Sequence, residues 1–203
     1  MKAPAKKRDQ KSTKAKLLKA ALDIFSKEGY DAATTRAIAK KAGVNESLIH
    51  RYFESKLGLF LALKAQYRQD FITQYLAKHP ENENLADELV AFLKYKLESS
   101  RQNKKFFKLS ISRAILDPKV RDTVQTYAQL KPQPLVDRFI KLQKNGQIRK
   151  DVNLDRVIDV VHVLSFAISL LSEAFECLNS NESDEIITTA TDIFVRGLTP
   201  KKS

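Results

Sequence analysis

The chain is expected to be all-α, on three observations. Apolar residues recur at three- and four-residue spacing through most of its 203 residues. Turn formers are sparse, at 5 Gly and 6 Pro, and they punctuate the periodic stretches without interrupting them. Helix-capping residues (Thr, Asn, Ser, Asp-Pro) stand where the stretches begin. The implied architecture is a small three-helix head joined by a long helix to a larger helical domain, about nine helices in all. The expected division is 1–11 as a disordered basic arm, 12–58 as the head and 59–203 as the second domain.

Residues 1–11 hold Lys2, Lys6, Lys7, Arg8 and Lys11 with Pro4 and almost nothing apolar. That composition implies disorder. The arm serves either as a solubilising tail or as a phosphate or minor-groove contact. Ser12 or Thr13 can cap the first helix, built on Leu17, Leu18, Ala21, Leu22 and Phe25 and stopped by Gly29. A second helix is expected over 35–42 and a third over 46–53. Ser55 caps a long fourth helix through Leu57, Phe60, Leu61, Leu63, Tyr67, Phe71 and Tyr75. Past the polar run 81–84, Leu85, Leu89, Phe92, Leu93 and Leu97 make a fifth helix, and Phe106 to Ile111 a sixth. Asp117-Pro118 reads as cap and first-turn proline of a seventh, broken or kinked at Pro132 and Pro134 and resuming to Asn145-Gly146. The eighth, from Val157 to Leu178, is apolar on nearly every side, so it needs cover on every side. A ninth runs over 184–196. One side of helix 8 can face the monomer core and the other a second copy, which predicts a homodimer through helices 8 and 9.

Lys and Arg number 36 against 24 Asp and Glu, giving a net charge of +12. The excess is concentrated: residues 1–56 carry 14 basic and 6 acidic side chains. A polyanion is therefore expected to face the N-terminal quarter. The single cysteine, Cys177, excludes an intramolecular disulfide and is expected to be buried and inert. No run of eighteen uninterrupted apolar residues occurs, so no membrane span is expected, and the basic N-terminus lacks the apolar run of a signal peptide. The expected location is the cytoplasm. With 3 His, 1 Cys and no glycine-rich loop, no metal site, cofactor or catalytic group is expected, so an enzyme is disfavoured.

Residues 34–56 carry the chemistry. They read as a short helix, a glycine turn and a second short helix, with Ala39, Val44 and Ile49 at the apolar crossing. Thr34 and Asn45 mark the two helix starts. Arg36, Glu46, Ser47, Leu48, His50, Arg51, Tyr52 and Lys56 have no obvious internal partner. A polar-faced helix held out by a compact scaffold in a basic chain is how proteins reach base edges in the DNA major groove, so double-stranded DNA is the implied partner. Phe53 is better placed in the core, and Arg51 reads equally as a solvated charge.

This stretch resembles the DNA-binding domain of the TetR/AcrR family of bacterial transcriptional regulators. The matching residues are Ala21, Phe25, Gly29-Tyr30, Thr34, Ile38-Ala39, Ala42-Gly43-Val44, Ile49, Tyr52-Phe53, Ser55-Lys56 and Phe60. The resemblance implies a repressor that binds a pseudo-palindromic operator as a dimer, with Thr34 near a phosphate and Arg36 on a base or the backbone. It also implies Glu46, Ser47, Leu48 and His50 at base edges, and Tyr52 and Lys56 on phosphates. Ser47, Leu48 and His50 depart from the residues common in that family, so they are where this chain's own specificity should lie. The resemblance further implies release by an unknown small-molecule effector bound in the second domain. Candidate walls are Phe71, Tyr75, Phe92, Tyr95, Phe107, Ile111, Tyr127 and Phe166, with Ser110 and His162 as polar groups among them. Each polar group also reads as an ordinary satisfied core residue. The alternative is a ligand-independent or nucleoid-associated DNA-binding dimer that uses the same head.

Overall fold

The structure, a computed structural model, describes the backbone of residues 5–129 and 133–200 and the side chains of 9–126 and 133–200. Among them are ten α-helices and one π-helical turn. They are α1 (Ala5–Ala32), α2 (Thr35–Ala42), α3 (Ser47–Phe53), α4 (Lys56–Lys78) and α5 (Leu85–Gln102). Then come α6 (Lys104–Leu116), α7 (Pro118–Gln129), α8 (Gln133–Lys144), α9 (Leu154–Ser169), the π-turn (Leu170–Ala174) and α10 (Ser180–Leu198). The chain divides into two compact units, one reaching Asp70 and including Lys105–Gln125, the other made of Phe71–Lys104 and the chain from Thr126 on. The division falls inside α4.

The first unit is built on Leu17, Ala21 and Phe25 of α1, Ile38 of α2, Ile49 of α3, and Leu59 and Phe60 of α4, all essentially inaccessible to water. Three rings hold its centre. Phe25 and Tyr30 stack at 5.4 Å, and Phe60 meets them edge-on at 5.7 and 5.3 Å. Such offset and edge-on pairs add stabilisation beyond the area they bury. Gly29 takes φ 80°, so the regular helix breaks there as the sequence implies, and one further helical turn carries Tyr30 back over Phe25.

In the second unit α5 packs against α9 and α10, around Tyr75, Leu85, Leu89, Leu93, Ile148 and Ile187. A buried ion pair crosses this core. Arg138 Nη1 of α8 donates to Glu88 Oε1 of α5 at 3.1 Å, and its Nη2 donates to the His79 carbonyl at 2.6 Å. The Tyr75 hydroxyl donates to the same Glu88 Oε1 at 2.9 Å. Burial, reinforced by the Glu88 charge, holds the Tyr75 hydroxyl well above the usual tyrosine range, so it stays a donor. Removing one member would strand a buried charge.

Several expectations need correction. Helix α1 starts at Ala5 instead of Ser12 or Thr13, because Ala, Lys, Arg and Gln are good helix formers whatever their solubility. Residues 1–4 and Pro132 lie outside the described residues; the break expected in the seventh helix is present and separates α7 from α8. Pro134 sits in the first turn of α8, where its missing N–H costs little. The apolar eighth helix does not reach Leu178. After α9 the backbone widens into the π-turn, Phe175 N donates to Leu170 O at 3.0 Å and Cys177 N to Leu171 O at 2.8 Å, and Glu176 takes φ 57°. Cys177 is consequently exposed instead of buried.

Two consequences can be measured. A Cβ on Gly58 would lie 1.9 Å from the Phe53 carbonyl oxygen, so α4 leaves α3 closely enough to require glycine. Gly58→Ala should destabilise the first unit by about 1–3 kcal/mol in chemical denaturation. Burial lowers the Lys64 ammonium to about 8, against 10.5 ordinarily. Between those values the unfolded chain binds more protons than the folded one, so stability rises with pH there. Lys64→Met should melt higher than wild type at neutral pH, with the gap closing as pH rises through that window.

Candidate nucleic-acid interface

Each part of the helix–turn–helix is set by a local hydrogen bond. Thr34 Oγ1 accepts from Ala37 N at 3.0 Å and caps α2. Gly43 ends α2 in the left-handed region, φ 66°, where its N–H can return to Lys40 O. Asn45 Oδ1 accepts from Ser47 N at 2.8 Å and starts α3, and Ser55 Oγ accepts from Gly58 N at 3.0 Å at the start of α4. Ile38, Ala39, Ile49 and Phe53 are buried beneath, so one face of each short helix is committed inward.

The opposite face carries most of the expected contact residues. Thr34, Arg36, Ser47, His50 and Arg51 are exposed. Leu48 and Tyr52 are half-buried against the core of the unit. The His50 ring lies with Nδ1 3.2 Å from the Glu54 carbonyl oxygen. A hydrogen on Nδ1 would fix the ring and leave Nε2 to accept from a base edge. Glu54 itself takes φ 67° and closes α3 by returning its N–H to His50 O. Arg36 has the fork that can grip guanine, and Leu48 can cover a thymine methyl.

Two residues read from sequence as lacking internal partners have them. Glu46 Oε1 accepts from Thr35 Oγ1 at 2.5 Å, which ties the start of α3 to the start of α2. Lys56 Nζ donates to the carbonyls of Tyr30 at 2.8 Å, Asp31 at 3.3 Å and Ala33 at 2.9 Å, and lies 4.5 Å from the Tyr30 ring. Its charge is thus spent on the carbonyl-rich end of α1, a favourable place for a cation. Those partners lie 23 to 26 residues earlier, beyond any local pattern. Nothing in the spacing pointed to Arg113 on α6, which lies 4.3 Å from the Tyr30 ring and pairs with Asp117 at 2.7 Å and Asp31 at 3.3 Å.

The effector candidates separate. Phe71, Tyr75, Phe92, Tyr95 and His162 gather in the second unit, with ring separations from 5.1 to 6.4 Å. Phe92 and His162, with Leu135, Val136, Phe139, Ile158 and Val161, line a cavity of about 10 Å³ between α5, α8 and α9. Phe166 is 43% exposed on the outer side of α9. Phe107, Ser110 and Ile111 belong to the first unit, where Ser110 Oγ is buried with no hydrogen-bond partner among the described residues. The Tyr127 side chain lies outside the described residues. No group of three or more His, Cys, Asp or Glu able to hold a metal ion occurs among the described residues.

Residues 17–63 match the family model for bacterial regulatory proteins of the tetR family. An uncharacterized HTH-type transcriptional regulator of Bacillus subtilis, YvkB, is 31% identical over 137 residues, covering 68% of this chain and 71% of that one. The chain belongs to the TetR family of bacterial transcriptional regulators. The transcriptional repressor KstR of Rhodococcus jostii is 39% identical over 57 residues, 28% of this chain and 27% of KstR. A structure from Rhodococcus sp. assigned to the TetR family superposes with a TM-score of 0.74 at 15% identity, covering 90% of this chain and 98% of the other. TetR-family regulators bind DNA through this helix–turn–helix, are dimers, and carry a ligand-binding domain.

The geometry assigns Lys56 a task inside the head. Lys56→Met should lower stability by roughly 1.5–3 kcal/mol, the range for hydrogen bonds to a charged group. The salt dependence of DNA affinity in the folded fraction should stay that of wild type.

Proposed function

We propose that this protein represses transcription as a cytoplasmic homodimer, placing α3 of each subunit in successive major grooves of a pseudo-palindromic operator, about 34–36 Å apart. The observation that carries this reading is the exposed set Arg36, Ser47, His50 and Arg51 on two short helices whose inner faces are fully committed to a core. Thr34 and Tyr52 flank that set and suit phosphates, and Leu48 and His50 suit base edges. The relatives that match over the head include one repressor and one activator, and repression is the mode that the family resemblance implies. Nucleoid association is then a property of the DNA-bound dimer.

The dimer surface we propose is the outer side of α9 and α10 with the turn between them. Val160, Val163, Phe175 and Ile193 are each more than half exposed. Single exposed apolar groups are ordinary, but a set this dense marks a contact surface. Leu154–Ala174 also has the length and apolar character of a membrane span, with 39% of its apolar window buried. Asp155, Arg156, Asp159 and Glu173 in the same helix favour a protein partner over lipid.

For release, we propose an apolar effector that opens the space between α5, α8 and α9, against the aromatic group of the second unit. The cavity there holds about one water, far below the roughly 300 Å³ of a usual ligand site. The effector must therefore select a more open form, and α4, which belongs to both units, continues from that aromatic group into the head. The small cavity equally favours a second reading, a ligand-independent DNA-binding dimer. Metabolite screening by thermal shift, followed by operator affinity with each hit, separates the two. Hits that weaken operator binding support the switch, and hits without effect on it leave the fixed binder.

Selection of duplexes from a random pool should yield a two-fold symmetric sequence. Arg36→Ala should cost roughly 1–3 kcal/mol on that duplex and relax its sequence preference. Val163→Glu with Phe175→Glu should sediment as monomer while keeping its helix content, and a dimer that survives both charges would overturn the assigned surface.

A further inference from the structure

We propose that the N-terminal part of α1 is a second DNA contact, a helical arm whose lysine stripe grips phosphates flanking the groove read by α3. The proposal rests on the DNA-binding reading above and adds residues outside the helix–turn–helix.

Helix α1 begins at Ala5, yet its first buried residue is Leu17. The described side chains before it, residues 9–16, are exposed or half-buried, on a helix whose backbone from Ala5 to Lys16 spans about 18 Å at 1.5 Å per residue. The core of the first unit includes none of the side chains of 9–16. Their pattern is regular in another respect. Lys11, Lys14 and Leu18 are spaced three and four apart, so they share one face, and position 7, also a lysine, falls in the same register. Leu18 packs against the core of the unit, which directs that face toward the rest of the head. Asp9, the only acid between Ala5 and Lys16, sits half a turn away from Leu18 in register, off the stripe.

The stripe ends beside the recognition helix. Lys14 Nζ lies 5.5 Å from the centre of the Tyr52 ring, and the Arg51 guanidinium carbon lies 5.8 Å from the same ring. Each cation is held near the Tyr52 ring, so an anion beside Tyr52 lies within the reach of both flexible side chains. A DNA phosphate is such an anion, and Tyr52 adds a hydroxyl donor. Lys11 then continues the positive track outward along the backbone. A membrane surface fits poorly, since a surface-bound helix needs an apolar face and the other described positions here are Asp9, Gln10, Ser12, Thr13, Ala15 and Lys16.

The test measures affinity against salt, between roughly 50 and 200 mM, for a random-sequence duplex and for the duplex selected from the pool. Lys11→Gln with Lys14→Gln leaves roughly two phosphates per subunit without a neutralising cation, and each should reduce the slope of log affinity against log salt by about 0.9 on both duplexes. The sequence preference should not change. Lys16→Gln, off the stripe, should leave the slope at the wild-type value. Ser12→Pro keeps every lysine but breaks the helix, and should weaken binding to both duplexes. The wild-type slope in the double variant, or wild-type affinity with Ser12→Pro, overturns the proposal. Failure of the pool to yield any preferred sequence would instead sink the operator reading, while the slopes would still report on the arm. Thermal melting checks that each variant is folded.

Discussion

Tyr30 lies against two cations, Lys56 at 4.5 Å and Arg113 at 4.3 Å, with Phe25 and Phe60 also against its ring. The rest of the head depends on this arrangement. Gly29 breaks α1 so that the ring can fold back, and Lys56 binds the carbonyls left at that break. Lys56 is also the first residue of α4, so one side chain fixes where α4 begins relative to α1. The helix–turn–helix occupies the span between those fixed points, and its aim follows from them. Burial raises the Tyr30 hydroxyl above the usual tyrosine range while Arg113 opposes the shift, so the ring stays neutral beside its cations.

A recognition surface requires the reverse of a core residue: a polar side chain that the scaffold leaves unused. The short helices α2 and α3 achieve this by committing Ile38, Ala39, Ile49 and Phe53 inward and satisfying their ends with Thr34, Gly43 and Asn45. Glu46 shows why exposure alone does not define such a surface. Its carboxylate, suited to cytosine, is engaged by Thr35 and helps orient α3. Lys56 makes the same point with the opposite charge. Arg36, Ser47, His50 and Arg51 remain exposed, and the contacts of His50 with the Glu54 carbonyl and of Arg51 with the Tyr52 ring stay within the end of α3.

The second unit uses different physics for a different demand. Its core is crossed by Glu88 and Arg138, a pair stabilised less by attraction than by the cost of leaving either partner alone. Such a pair favours one register of α5 and α8. The apolar side of α9 is left largely uncovered, with Val163 at 67% exposure, and the π-turn after it turns Phe175 outward as well. A stable core and an uncovered apolar surface on the same helix are the basis of the dimer surface proposed above.

Local chemistry was legible in the sequence because its causes are local. The caps at Thr34, Asn45, Ser55 and Asp117, the glycine breaks at 29 and 43, and the helical periodicity depend on residues three or four apart, and each appears where spacing placed it. Charge asymmetry and a dozen spaced residues pointed to DNA for the same reason. Tertiary structure alone decided which charges were spent. Lys56 meets carbonyls 23 to 26 residues away, Arg113 meets Asp31 across 82, and Arg138 meets Glu88 across 50. It also decided that α1 reaches back to Ala5, that the apolar eighth helix gives way at a π-turn, and that Cys177 faces water. Periodicity records which face a residue is on, while a partner distant in sequence leaves no trace in spacing. The sequence therefore determined the elements and the kind of partner, and only the fold determined which charged side chains are engaged internally.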